Sequence, residues 1–431
     1  MKRAYPIDVR SYLMGSRCLF ITGSVPALSG TGASIRAGLT LEALAQAFSV
    51  VLVIATRRSQ NALPDLSPEM QCLCEEVQFF QQTDFGISGT ESWLEPALLK
   101  GWDEQEMNMS FMTLHGQCFD AVHVFRLHLM PVWRHLRDTL SVSAGRVILD
   151  LDDIESRAHF REIRLKGLAL GRLGILKELV EGFKLRQAEN HVASEVSSIL
   201  VCSEGDKNAL SRRIGQSKLS VLPNGARFPK PFPRRIGDGS IVLLFVGSLF
   251  YGPNQHALRW LITKILPEIR TGSARPIRLV IVGKRPPAWL KELAAQNGAE
   301  LHADVPSVAP FYKDSDIVVV PILSGGGTRI KIIEAFGYGR PVVSTRIGAE
   351  GLAVCDEQEL LLAETPIAFC QALAKLSGSD DYYERITLNA RKLVDAKYSR
   401  DAFVQALQYI HARTDTDPDN DAKLDQESAH T

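Results

Sequence analysis

The chain has 431 residues, 45% of them hydrophobic and 23% charged. That is a globular composition, too long for one ordinary core and suited to two α/β domains. Lys+Arg and Asp+Glu both number 49, so no whole-protein field recruits nucleic acid, and none is expected as a partner.

In chain order, "CLFITGSV" from Cys18 reads as a strand buried on both faces. "GTGASIRAGLTLEALAQAF" from Gly30 is a glycine turn opening a helix, and "SVVLVIAT" from Ser49 is a second strand. This βαβ unit predicts a parallel sheet with right-handed crossovers. A less regular polar stretch follows, about Ser59 to Gly116. "FDAVHVFRL" from Phe119, "RVILDLDD" from Arg146, "SSILVCSEGDKNAL" from Ser197 and "KLSVLPNGARF" from Lys218 complete the first half. "PKPFPRRIGDG" from Pro229 packs three prolines into five residues and is read as a linker. The pattern then restarts. "SIVLLFVGSLFYGPN" from Ser240, "IRLVIVGKRPP" from Ile277, "AELHADV" from Ala299, "SDIVVVPIL" from Ser315 and "RPVVSTRIG" from Arg340 are strands between helical windows. "SRDAFVQALQYIHAR" from Ser399 is a last amphipathic helix, and the acidic, apolar-poor residues after it read as disordered.

The reading is two doubly wound Rossmann-like α/β domains, residues 1–230 and 231–398. Helix 399–413 is expected to cross back to the first domain, with 414–431 as a disordered acidic tail. "MKRAYPIDVR" has no long apolar core behind it and is not read as a signal peptide. The apolar runs are too short to span a bilayer. The seven cysteines include one C-x-C pair, Cys72 and Cys74, with no second pair to complete a zinc site. Reduced thiols and a cytoplasmic protein are expected.

The segment "PILSGGGTRIKIIEAFGYGRPVVST" from Pro321 carries the chemistry. A strand ends, Gly325, Gly326 and Gly327 turn, and a helix begins near Thr328. Ligands of open parallel sheets sit beyond the strands' carboxyl ends. Helix-start amides point outward, and glycines let an anion approach them. Arg329 and Lys331 oppose the helix dipole unless an anion such as a diphosphate sits there. Glu334 is placed to accept hydrogen bonds from the vicinal hydroxyls of a ribose.

With these residues quoted, "GGGTRIKIIEAFGYGRPVVSTRIGAEGL" resembles the donor-site signature of retaining GT-B glycosyltransferases of family 4. "FVGSLFYGPNQHALRWLITKILPEI" from Phe245 is similar to the first strand and helix of their C-terminal domain. "LDLDDIESRAHF", "AENHVASEVSSILVCSEGDKNAL" and "VLPNGARF" resemble the N-terminal half of an exopolysaccharide- and exosortase-associated subgroup. The resemblance implies two Rossmann-like domains facing each other across a cleft. It implies a nucleotide-sugar donor and a glycan or lipid-linked acceptor. No cofactor is implied, and no metal is strictly required. Glu334 corresponds to the second glutamate of the family's E-x7-E motif. The first position is Gly326, which leaves the sugar open. Many members carry Arg and Lys in the loop "GSLFYGPN", where this chain has Ser248 and Asn254; Arg329 and Lys331 are expected to take over that charge. Gly30 and Gly32 resemble the N-domain loop that faces the donor phosphates.

Family members often place a histidine after an N-domain strand. "DAVHVFRLHLMP" offers His123 and His128, of which His123 is the catalytic candidate. Arg36, Asp152 and Asp153 are candidates for acceptor binding. A solvated surface arginine is the alternative for Arg36, and a capped strand end for the aspartates. From His159 a leucine-rich stretch carries Arg161, Arg164, Lys166, Arg172, Lys177, Lys184 and Arg186. A basic amphipathic helix of this kind can lie on an anionic membrane surface. A peripheral position on the inner face of the cell membrane follows, with an ordinary packed helix as the alternative. Rival functions are a nucleotide-sugar epimerase of the same fold, a nicotinamide dehydrogenase, and a catalytically silent nucleotide-binding scaffold.

Overall fold

The structure is a computed structural model. It describes residues 15–56, 65–82, 95–228, 230–235, 239–324 and 330–412, and of residues 165–170 the backbone alone. Two parallel sheets form two compact units.

The first sheet comprises β1 (Arg17–Thr22), β2 (Ser49–Thr56), β3 (Glu76–Gln81), β4 (Cys118–Phe125), β5 (Ser143–Leu151), β6 (Ser198–Val201) and β7 (Leu219–Val221), in the order β3-β2-β1-β4-β5-β6-β7. The order reverses between β1 and β4, the topological switch point of a doubly wound sheet. The register sets Phe20 beside His123, and Phe125 beside Asp150. The second sheet comprises β8 (Ile241–Val246), β9 (Ile277–Gly283), β10 (Ala299–Ala303), β11 (Ile317–Val320), β12 (Val342–Ser344) and β13 (Leu361–Leu362), in the order β10-β9-β8-β11-β12-β13. Its reversal lies between β8 and β11. All six residues of β8 and all four of β11 are buried, as continuous apolar runs require of central strands.

The units interleave along the chain. The first takes residues 1–152, 184–222 and 403–431, and the second takes 153–183 and 223–402. The contiguous boundaries drawn from sequence at 230 and 398 differ from this division. Helix Arg400–Ala412 sends Phe403 under the Arg36 guanidinium (5.5 Å) and Gln408 onto Gln46 (3.1 Å), both in the first unit. Helix Glu155–Glu195 leaves the first unit and is tied to the second by Arg157 and Arg161, which both bond Glu350.

The proline-rich stretch is not a free linker where it is described. Arg340 is fully buried and donates to the carbonyls of Tyr312 (2.7 Å), Pro233 (2.9 Å) and Lys313 (3.1 Å). Arg235 pairs with Asp316 at 3.0 Å. Prolines leave carbonyls with no helix or sheet partner, and a buried arginine with five donors satisfies several at once. Residues 230–235 are thereby part of the second unit.

Candidate functional site

At the reversal point of the second sheet, β8 ends in Gly247, and helix Gly252–Trp260 follows with Asn254 in its first turn. From β11 the chain runs on to helix Ile330–Gly337. Gly325, Gly326, Gly327, Thr328 and Arg329 lie outside the described residues. Lys331 reaches back to the β8 end. Its Nζ donates to Asn254 Oδ1 at 2.7 Å and lies 4.5 Å from the Phe245 ring centroid. Asn254 in turn donates to the Ser248 carbonyl at 2.9 Å. A Cβ on Gly247 would stand 2.9 Å from both the ammonium and the Asn254 amide nitrogen. Glycine at this position is what lets a cation come so close to the strand end.

One turn further along the same helix, Glu334 is half-buried and accepts from the Tyr312 hydroxyl at 3.4 Å. Burial pushes its carboxyl up to about 7, and this outweighs the lowering pulls of the Tyr312 hydroxyl and the Lys331 ammonium. Burial likewise raises the Tyr312 phenol well above its ordinary value, with Glu334 adding to the rise. Tyr312 stacks on Tyr338 with centroids 4.5 Å apart, and Tyr338 stacks on Phe232 at 5.6 Å. Arg340, bonded to the Tyr312 and Pro233 carbonyls, braces this stack from behind. Sequence reading missed Tyr312. Tyr338 and Arg340 were visible in "AFGYGRP", where Tyr338 follows Glu334 by four residues and so shares its helix face.

In the first unit the loop after β1 holds Gly30 at a φ of 111°, a conformation that suits glycine. Thr31 caps helix Gly32–Ala45 by accepting from the Ser34 amide at 3.2 Å. Across the reversal point, Arg126 follows β4 with a φ of 83°, a strained value for a non-glycine residue. It holds Asp152 by an ion pair at 2.6 Å. Asp153 is half-buried where the chain enters the second unit.

Two expectations are corrected here. Arg36 is neither a solvated surface residue nor open to an acceptor. It is 1% exposed and clasps Asp150 with two bonds of 2.8 Å, with a third bond to the Leu222 carbonyl at 3.1 Å. Burial alone would raise Asp150, but the facing guanidinium holds its carboxyl below the usual range. His123 is fully buried rather than facing a ligand, because β4 is a central strand and the ring points into its packing. Its Nε2 lies 3.7 Å from Asp150, its Nδ1 3.3 Å from His411 Nε2, and the two imidazoles stack. Burial drives His411 well below the ordinary histidine value, and His123 adds to the effect. His128 instead sits at the reversal point. Its Nε2 stands 2.9 Å from where a Cβ on Gly23 would be.

Residues 240–379 match the family model described as "Glycosyl transferases group 1". The second unit therefore carries a group 1 glycosyltransferase domain. Over 164 residues the chain is 27% identical to an uncharacterized 44.6 kDa protein in the cps region of Klebsiella pneumoniae. That match spans 36% of this chain and 42% of the relative. Among solved structures, sucrose-phosphate synthase of Thermosynechococcus elongatus superposes with a TM-score of 0.67 at 14% identity, covering 92% of this chain and 98% of that one. Anabaena HepE, solved in complex with UDP and glucose, superposes with a TM-score of 0.66 at 13% identity, covering 93% and 100%. These likenesses show the fold: two Rossmann-like domains of the GT-B kind.

Proposed function

We propose that this chain is a glycosyltransferase that moves a sugar from a nucleoside-diphosphate donor to a glycan hydroxyl in bacterial polysaccharide assembly, with retention of configuration. The observation that carries the reading is the pairing of Lys331 and Glu334 on one helix at the reversal point of the second sheet. Lys331 holds a positive charge beside an open glycine backbone, where a diphosphate fits. Glu334 stands one turn away on that helix, where the ribose of the same nucleotide fits. Arg329 and the glycines 325–327 complete the diphosphate cradle in this reading, and the family resemblance assigns Gly30 and Gly32 to the donor phosphates. Cations and helix amides stabilise the leaving diphosphate without a metal.

Retention and the exopolysaccharide setting are supported by the family 4 resemblance, and the setting also by the cps-region relative. The acceptor is lipid-linked in this reading, and the protein sits on the inner face of the cell membrane. The acceptor side in this reading is the crest of the first sheet, where Arg126, on strained backbone, pairs with Asp152. His128 replaces His123 as the candidate histidine, because it lies at the reversal point of the first sheet whereas His123 is enclosed.

Thermal-shift screening against nucleoside diphosphates tests the donor site first. A ligand at about a hundred times its Kd stabilises the fold by about 2.7 kcal/mol. Turnover of the donor sugar of the base so identified follows, with and without a lipid-linked acceptor. No shift with any nucleotide refutes the reading. Binding without turnover converts it to the silent scaffold, and sugar isomerisation without acceptor converts it to the epimerase.

A further inference from the structure

Helix Glu155–Glu195 breaks at Gly171, whose φ of 66° and ψ of 167° end one arm and start another. The arms lie against each other as a hairpin. Phe160 and Phe183 meet edge to face at 5.5 Å, and His159 bonds the Glu178 carbonyl at 2.9 Å. A Cβ on Gly182 would lie 2.7 Å from the Phe160 ring. This packing fixes which side of the returning arm turns outward. On it Leu173 is 84% exposed, Leu176 59%, Val180 46% and Phe183 57%. At about 100° per residue these four occupy an arc of about 80°. Lys177 borders that arc on one side and Arg172 on the other, both exposed, and Arg164 is exposed near the tip of the outgoing arm. Glu178 lies across the helix, paired with His159 at 3.2 Å. The base of the hairpin is anchored: Arg157 Nη2 and Arg161 Nη2 each donate to Glu350 at 2.7 Å, in the loop after β12.

We infer that the returning arm of this hairpin is a docking surface for an anionic lipid bilayer. Its apolar stripe enters the headgroup–acyl boundary, while Arg172, Lys177 and Arg164 meet anionic headgroups. A cation-bordered apolar stripe selects this occupant. A second copy of the chain across a two-fold axis would set the same cations against each other. Among the described residues no helix is long and apolar enough to cross a membrane, so the contact is a surface one. The hairpin belongs to the unit that carries Lys331 and Glu334, so docking holds the donor-binding unit itself at the membrane. That consequence rests on the proposed function; the docking does not.

The test is co-sedimentation with vesicles of phosphatidylcholine alone, and of phosphatidylcholine with phosphatidylglycerol, at low and high salt, with no donor or acceptor present. The wild-type protein is expected to bind the anionic vesicles, less so at high salt, and to leave the neutral ones. Arg172→Glu with Lys177→Glu, and separately Leu173→Gln with Leu176→Gln, are each expected to weaken binding by about tenfold or more. Leu388→Gln, a side chain 56% exposed elsewhere in the same unit, leaves binding unchanged. Unchanged melting temperatures and nucleoside-diphosphate affinity show that the variants fold and keep the donor site separate from this result. Wild-type protein that stays in the supernatant with anionic vesicles at low salt overturns the inference. So does equal binding to neutral vesicles. A wild-type dimer in sedimentation that Leu173→Gln with Leu176→Gln dissolves assigns the stripe to self-association and overturns it as well.

Discussion

If the proposed donor site is right, Glu334 gives it a pH dependence that can be worked out in advance. A ribose donates its hydroxyl protons, so the site needs the ionised carboxylate. Burial raises this carboxyl to about 7 in the free protein, so roughly half of it is protonated at neutral pH. Binding must then expel a proton. If the nucleotide binds only the ionised form, affinity rises about tenfold between about pH 6 and about pH 8, or about 1.4 kcal/mol, and flattens above that. The stability of the free protein runs the other way. A carboxyl raised from 4.5 to about 7 contributes stability fully present below about pH 4.5 and lost as pH rises through 7, worth about 3 kcal/mol at most. Titration calorimetry in buffer pairs of different ionisation heat measures both the affinity and the released proton. Glu334→Gln keeps the volume and removes the titration. Its binding is expected to be about 1.5–3 kcal/mol weaker above pH 7, the range for a charge-assisted hydrogen bond, and flat with pH. A pH-independent wild-type affinity, or a Glu334→Gln variant that keeps the same slope, refutes the assignment of Glu334 to ribose.

Three further outcomes are expected. Lys331→Ala weakens nucleoside-diphosphate binding by about 1.5–3 kcal/mol, and Asn254→Ala, which removes the carboxamide that positions the ammonium, weakens it by about 1 kcal/mol; equal calorimetric affinities in wild type and Lys331→Ala remove the cation from the site. Arg36→Met strands the Asp150 carboxylate in the core and lowers unfolding free energy by about 3–5 kcal/mol in urea, with nucleotide affinity unchanged where the variant remains folded; a loss below about 1 kcal/mol means the pair is open to water. His411 is held below its ordinary value, so its contribution to stability is present above about pH 6.5 and is lost as pH falls through the depressed value. His411→Phe removes that acid dependence, and an unaltered acid limb in its melting temperatures counts against the buried imidazole pair.

The fold was legible because it is written in period and punctuation. The central strands are apolar runs such as residues 241–246, and the helices between them open at turn residues such as Gly30 and Thr31. Lys331 stands out in the sequence because a cation in the first turn after a glycine loop opposes the helix dipole, and Glu334 because it follows on the same helix; the structure places both on helix Ile330–Gly337. Burial was not legible. Arg36 and His123 have the spacing of site residues, yet both are enclosed, because what covers them comes from far along the chain. Leu222 supplies a carbonyl, and Phe403 and His411 arrive on helix Arg400–Ala412. A pattern read within one βαβ unit carries no information about a helix that returns from the other end. The same holds for residues 230–235. Prolines and glycines mark irregular backbone, and Arg340, over a hundred residues on, decides that this irregular backbone is packed.

The same long-range supply sets the charge at the proposed donor loop. The loop after β8 carries Ser248 and Asn254 where similar proteins often carry cations, and read alone it looks depleted. In the folded unit Asn254 is no substitute for a cation; it is a holder for one. Its oxygen takes the Lys331 ammonium at 2.7 Å, its nitrogen is fixed on the Ser248 carbonyl, and the charge comes to rest against Gly247. A positive charge is thus delivered to the β8 end from the helix that follows β11, its neighbour across the reversal point. Arginine or lysine at 254 would set a second charge against Lys331 in a pocket that a single Cβ on Gly247 would already crowd. Asn254 and Lys331 therefore form one hydrogen-bonded unit, and in the proposed donor site their effects on nucleotide binding are expected to be non-additive. After Lys331→Ala, the further loss of the Asn254 side chain changes affinity little.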